Sequence, residues 1–232
     1  MTMNTFKNPD IQLNFERVSA SVVATAAQFP SSILADVAGR RGAMHGRIAP
    51  IKPSMRFAGP ALTVEVRAGD NLMIHAAMKL AKPGDVLVID GQADQNCALM
   101  GSIMINACKK LGLAGVVIDA AVRDTLELDE LDFPVFAVGT NPNGPTKMVA
   151  GRIGHAVSCG DVVVRSGDFV CGDADGVTVV EREKIEGLLP LAVKKVDDEA
   201  TRIAQIKLGN TDSPWLNAAL VAAGVLKAGE TL

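Results

Sequence analysis

Apolar and polar positions follow two rhythms along this chain. Three short apolar runs, DVLVID (85–90), GVVID (115–119) and PVFAV (134–138), are flanked by turn-forming residues. Runs of that length bounded by Gly, Pro and Asp read as buried strands. Between the first two, after a polar, Gly-containing loop, Ile103, Ala107 and Leu111 recur at helical spacing, with Met104 and Cys108 beside them. Gly112 is a natural stop for that helix. The polar segment TLELDELDF (125–133) reads as a second, shorter helix. The order strand, helix, strand, helix, strand predicts parallel pairing.

On either side the rhythm changes. The first thirty residues predict a helical lead-in, with Val18, Val22, Val23 and Ala26 on one stripe, and Ser31 or Ser32 can cap a short helix. Pro and Gly bound an alternating strand from Ala61 to Val66, and NLMIHAAMKLA predicts a helix that Pro83-Gly84 ends. From residue 154 to 180, short Val-rich runs alternate with Gly-Asp turns, which predicts antiparallel sheet with a hairpin turn at Asp175-Gly176. A long charged amphipathic helix follows, with a break expected at Pro190, and another helix after Pro214. No repeat, low-complexity tract or linker appears. The expectation is one domain over 1–232, with a lead-in to about 30, a core over about 31–182 and C-terminal helices over about 183–232.

Composition narrows the function classes. Nearly half of the 232 residues are apolar, enough for a sizeable core. There is no tyrosine, one tryptophan and a net charge of −3, without a basic cluster, so nucleic-acid binding is not expected. No apolar run reaches the ~18 residues of a membrane span, and the first residues lack a signal peptide's apolar core. A cytoplasmic protein is expected. Cys97, Cys108, Cys159 and Cys171 form no CxxC pair, and His45, His75 and His155 are scattered. This argues for reduced thiols and structural or surface histidines rather than a zinc site. GDADG carries a fragment of a calcium loop without the downstream Glu, and reads as a hairpin turn. No Gly-rich nucleotide-binding loop follows the first strand.

The candidate chemistry sits where three strands end, after Asp90, Asp119 and Val138. Ligands of parallel sheets bind at that carboxyl edge. The three loops lead to a helix start near Ser102, to Arg123 and Asp124, and to GTNPNGP, with Asn141, Asn143 and Lys147 as specificity candidates. Free amides at Ile103 and Met104 can hold a carboxylate. Arg123 can grip a carboxylate or stabilise an enolate oxygen, and Asp124 can bind Mg²⁺ or Mn²⁺. Blander readings remain open: Arg123-Asp124 as a surface ion pair or helix start with Asp124 as cap, Ser102 as a plain N-cap, and Asp90 and Asp119 as turn formers.

The segments AGPALTVEVRAGDNLMIHAAMKLAKPGDVLVIDG, GLAGVVIDAAVRD, FPVFAVG and GDFVCGDADGVTVV together resemble the family of regulator of ribonuclease activity A and the 4-hydroxy-4-methyl-2-oxoglutarate aldolases. Many of its members carry a demethylmenaquinone methyltransferase label. The match runs from about Ser32 to Val180. The resemblance implies an α/β/β/α sandwich of the swivelling-domain type with mixed sheets, assembled as a homo-oligomer, trimer or hexamer. For the aldolase branch it implies a metal-dependent class II retro-aldol reaction giving pyruvate, or the related decarboxylation of oxaloacetate. By resemblance Asp124 binds the metal, Arg123 contacts the pyruvyl oxygens, the backbone from Gly101 through Ser102 and Ile103 to Met104 holds the carboxylate, and Glu199 reaches the metal's waters from a neighbouring subunit. The departure is Ser102. The aldolases have an acid there, twenty intervening residues before Arg-Asp, and serine is no comparable base. Two alternatives follow: a non-catalytic protein modulator resembling regulator of ribonuclease activity A, or a relative acting on a different small oxo acid.

Overall fold

The computed structural model describes residues 8–232. Among these the contacts divide the chain into two compact units, the first reaching to Ala192 and the second covering Val193–Leu232.

The first unit is built on one long strand. β1 (Ala49–Pro50) and β2 (Phe57–Glu65) precede α3 (Leu72–Leu80), after α1 (Ala20–Ala26) and α2 (Ser31–Val37). Then come β3 (Val86–Met100), α4 (Ser102–Lys110), β4 (Gly115–Val122), α5 (Thr125–Glu130) and β5 (Val135–Thr140). The strand order is β1-β5-β4-β3-β2, and β2–β3, β3–β4 and β4–β5 all pair in parallel, as the alternation with helices predicts. The second half of the unit adds β6 (Arg152–Ile153), β7 (Val157–Cys159), β8 (Val162–Val164), β9 (Phe169–Asp173) and β10 (Gly176–Val180). Residues 57–60 of β2 pair with β9 antiparallel, while residues 61–65 pair with β3. One strand therefore serves both sheets.

Strand alternation sorts the side chains into three cores. Leu87 and Ile89 of β3, with Ile118 of β4, face Ile74 of α3, Ile105 of α4 and Leu128 of α5. Val86 and Val88 of β3, with Val117 of β4 and Phe136 of β5, point the other way, against Val157, Val170 and Val179. Phe169, Cys171 and Val180 then face Val18, Ile33, Leu34, Ile185 and Ala192. Helices, sheet, sheet and helices make the expected α/β/β/α sandwich.

Several local expectations change. The part of the helical lead-in on residues 1–7 lies outside the described residues. Beyond it, helix covers only Ala20–Ala26, and Ile11 makes a parallel bridge to Ile153. Ile11, Leu13 and Phe15 all pack on the helix-side core, a period of two that suits an extended segment. Arg17 fastens this segment through a bidentate pair with the fully buried Asp85, at 2.6 and 2.9 Å. Ser31 and Ser32 do not cap α2. Pro30 holds the cap position, and Ser31 donates its hydroxyl to Asp173 at 2.6 Å.

The loop predicted after Asp90 continues as irregular strand to Met100, with Gln92 and Ala93 at positive φ and the register to β4 broken three times. The buried face of α4 is Met104, Ile105 and Cys108, while Ile103 and Leu111 are exposed. The β9–β10 turn has Ala174-Asp175 at its centre, one residue earlier than predicted, because Asp173 pairs with Gly176. Finally α6 (Arg182–Lys207) runs through Pro190 without a break. In the second unit, Arg202 on α6 donates to the carbonyls of Asn210 and Asp212, securing the turn that leads to α7 (Leu216–Ala222).

Candidate active site

The chain leaves β4 at Val122 and turns sharply. Arg123 donates its amide to the Met100 carbonyl at 3.0 Å. Asp124 adopts the left-handed conformation, φ 62°, a region that non-glycine residues enter at a cost and Asp tolerates better than most. Asp124 does hold the cap position of α5, but its carboxylate makes no capping bond there. It turns instead to the start of α4, where Oδ2 accepts from the Ser102 amide at 2.9 Å and the Ser102 hydroxyl at 3.2 Å. An anionic carboxylate at a helix N-terminus is well placed electrostatically. Ser102 is thus the first residue of its helix rather than its cap, which is Gly101. Gly101 is required by proximity, since a β-carbon there would overlap Asp124 Oδ2 and come within 3.0 Å of Arg123 Cγ.

Arg123 is partly exposed, with Nε 3.9 Å from Asp124 Oδ1. Gly144 lies over its guanidinium, so the loop after β5 reaches the site as the sequence suggests. Asn141 and Asn143 brace this loop rather than line the cavity. Their side-chain amides donate to the Gln95 and Asn96 carbonyls at 2.8 and 3.2 Å. The next stretch is gathered by Asp70, whose Oδ2 accepts from Thr146 Oγ1 at 2.6 Å and from the amides of Met148 and Val149 at 2.7 and 3.2 Å. Burial alone would raise the Asp70 pKa, but these bonds and one from the Leu72 amide outweigh it and hold the carboxyl below the usual range.

These elements border a cavity of about 150 Å³ lined by Asn71, His75, residues 98–101, Ile103, Met104, Arg123, Asp124, Pro145 and Lys147. Depressions of about 270 and 250 Å³ elsewhere on this unit also hold acids and bases, Lys52 with Asp129 in the first and Arg41 with Asp168 in the second, but neither lies at the carboxyl edge of the parallel strands, so position rather than size selects the site. The Met104 amide donates to the Gly101 carbonyl at 3.1 Å within the first turn, which leaves Ile103 as the amide of the expected pair without that engagement. Asp119 does not join the site. It is buried and accepts two bonds from Arg47, at 3.0 and 2.9 Å, and one from the Gly160 amide at 2.8 Å. Glu199 lies in the second unit, paired with Lys195 at 3.1 Å along α6.

Sequence reasoning missed Asn71 and His75, reading the histidines as structural or surface groups. The available signal was their spacing: two polar residues four apart, at the cap and in the first turn of a mostly apolar helix. Among the described residues no three His, Cys, Asp or Glu side chains converge on one point. Among the described residues that line the cavity, Asp124 is the one carboxylate.

The comparisons agree with this architecture. The family model described as RraA-like, Aldolase/RraA, matches residues 20–179. A relative from Halalkalibacterium halodurans, provisionally named a 4-hydroxy-4-methyl-2-oxoglutarate aldolase, is 41% identical over 172 residues, covering 74% of this chain and 82% of the relative. An unusual member of the RNase ES inhibitor RraA family from Streptomyces coelicolor shares the fold at a TM-score of 0.74 and 23% identity, covering 81% of this chain and 98% of that one. A Geobacillus kaustophilus structure named S-adenosylmethionine:2-dimethylmenaquinone methyltransferase aligns at a TM-score of 0.59 and 30% identity, covering 64% and 94%. With the family model spanning most of its length and a close relative aligned over most of that relative's own, the chain belongs to the Aldolase/RraA family.

Proposed function

We propose that the chain is a divalent-metal-dependent carbon–carbon lyase acting on pyruvate-type 2-oxo acids, by retro-aldol cleavage, oxaloacetate decarboxylation or both. The observation that carries this reading is the convergence of Arg123, Asp124 and the start of α4 on one small cavity. The relatives named as aldolases support the lyase class.

A single carboxylate suits Mg²⁺ or Mn²⁺, which keep most of their waters, better than zinc, which takes several protein ligands. Asp124 would hold the ion directly, and Glu199 of a neighbouring copy would help order its hydration shell. When bound, the ion supplies Lewis-acid polarisation of the oxo group. The chain's own residues do the rest. The Ile103 amide at the α4 N-terminus faces the substrate carboxylate. Arg123 stabilises the negative charge that develops on the oxo oxygen as the enolate forms. Carbon dioxide leaves from oxaloacetate; from a 4-hydroxy acid the hydroxyl proton passes to solvent water as the carbonyl fragment leaves; in both routes the same enolate then takes a proton from solvent at carbon to give pyruvate. Ser102 acts as a positioning residue, holding the Asp124 carboxylate through its amide and hydroxyl. Decarboxylation needs no base on a substrate hydroxyl, so it tolerates Ser102 better than retro-aldol cleavage.

Assembly into trimers or hexamers is part of the same reading. Ile103, 84% exposed, lines the cavity, and the exposed Leu126 and Met148 closely follow Asp124 and Lys147 in the chain. An apolar fringe of that kind suits contact with another copy. The Arg123–Asp124 site weighs against a purely regulatory role.

The test is pyruvate release from oxaloacetate and from 4-hydroxy-4-methyl-2-oxoglutarate, with and without Mg²⁺ or Mn²⁺. Release that requires metal and disappears in Asp124→Ala is the expected result. Folded, metal-binding protein that releases pyruvate from neither compound would overturn it.

A further inference from the structure

One wall of the cavity carries two polar atoms with nothing to bond. Asn71, at the cap of α3, is only 2% exposed. Its Nδ2 donates to the Leu99 carbonyl at 2.8 Å and approaches Met104 Sδ at 3.3 Å. Those contacts fix the orientation of the amide, because Nδ2 can only donate. Oδ1 is therefore held as an acceptor, and it is buried without a partner. One helical turn later, His75 Nε2 is also buried and unpartnered. Residues four apart share a helix face, and both line the cavity that holds Arg123 and Asp124. Buried polar groups are almost always satisfied, so two orphans on one wall of a ligand cavity call for a ligand group.

The chemistry of that group follows from what the wall offers. Burial, and then the positive charge of Lys147, keep the His75 pKa below its ordinary value. Arg123 adds positive charge and Asp124 negative charge to the same cavity. A neutral imidazole at pH 7 presents Nε2–H as a donor in one tautomer. In that tautomer the wall offers one acceptor and one donor, on residues one helical turn apart. A carboxylate cannot donate to Asn71 Oδ1. An ammonium can donate, but cannot accept from His75, and it would face Lys147 and Arg123. A hydroxyl does both.

We infer that Asn71 and His75 form a hydroxyl-reading subsite, which favours a 2-oxo acid carrying a hydroxyl beyond its oxo-acid end over one without it. This rests on the reading of the cavity as an oxo-acid site. The hydroxyl donates to Asn71 Oδ1 and accepts from His75 Nε2. A substrate lacking it leaves both wall atoms unpaired, which is how a polar site discriminates most strongly. The subsite thus tilts the chain from decarboxylation towards retro-aldol cleavage, despite the serine at position 102.

The experiment compares kcat/KM for 4-hydroxy-4-methyl-2-oxoglutarate with that for oxaloacetate, in one preparation each of the Mg²⁺-loaded full chain, His75→Phe and His75→Gln. The ratio of the two values is independent of how much of each preparation is folded. In His75→Phe the ratio is expected to fall by about tenfold or more, the scale of a lost buried hydrogen bond. In His75→Gln, whose amide restores an N–H donor, much of the ratio should return. An unchanged ratio in His75→Phe, whether both values fall or neither does, would overturn the subsite. Wild-type protein that cleaves neither compound would overturn the oxo-acid reading, and the subsite with it, and is a distinguishable result.

Discussion

Gly101 and Gly144 both press on Arg123, and Gly101 on Asp124 as well, with different consequences. A β-carbon at 101 would collide with the Asp124 carboxylate, which is pinned by Ser102, and with Arg123 near its root. A β-carbon at 144 would lie 2.9 Å from Arg123 Nη1, the far end of a flexible side chain. Gly101→Ala is therefore expected to cut kcat/KM on the order of 100-fold, since misplacing reacting groups by about an ångström costs that much. Gly144→Ala should give a smaller loss, with an unchanged Tm. Steady-state kinetics and melting curves on both variants would check the contrast, and equal losses would count against it. Ser102→Asp places a second carboxylate opposite Asp124. Retro-aldol turnover is expected to rise relative to decarboxylation, while facing like charges lower the Tm of the metal-free protein. The Tm gain on adding Mg²⁺ should then exceed that of wild type. The Arg-Asp pair and its neighbours were readable at this scale, because Arg123 and Asp124 follow a recognisable strand. Asn71 and His75 were not, because their four-residue spacing shows only a shared helix face, and the bonds they fail to make leave no trace in a sequence.

At the scale of elements, the strands and helices between 85 and 140 emerged from periodicity, since each is a regular segment with one apolar face or none exposed. The excursion from Gly91 to Met100 did not, because its pairing depends on the facing loop. Gln95 and Asn96 give their carbonyls to Asn141 and Asn143, and the Ala98 amide donates to the Asn143 carbonyl at 2.9 Å. The buried face of α4 was misread by one position, because Ile103 is held out beside the cavity instead of in the core. The approach of Lys147 depends on Asp70. The Asp70 pKa is held below 3.8 in the folded chain, so the unfolded chain takes up its proton first. The stability that this staple contributes is present above pH about 4 and disappears as the pH falls through the lowered value. Asp70→Ala should lower Tm at pH 7 and strip hydrogen-exchange protection from the Met148 and Val149 amides. At pH 2 the Tm difference from wild type should shrink; a constant difference would argue against the carboxylate as its source.

Across the whole molecule, the three cores share one device: each strand face is committed to a different neighbour, and β2 joins the sheets. The extended segment before α1 is part of this closure through Arg17 and Asp85. Arg17→Met would leave a buried carboxylate without its partner and is expected to cost about 3–5 kcal/mol in denaturant unfolding. Three of the four cysteines, all free, distribute themselves over this plan. Cys108 lies in the core under α4, Cys159 between the sheets and Cys171 beneath the outer helices. Burial pushes the Cys108 and Cys171 thiols up to about 12 and that of Cys159 well above 9. None can react while its layer is closed, because the attacking species is the thiolate. Each layer therefore carries its own clock: the rate at which a reagent captures its cysteine records how often that layer parts from its neighbour, without any label being introduced.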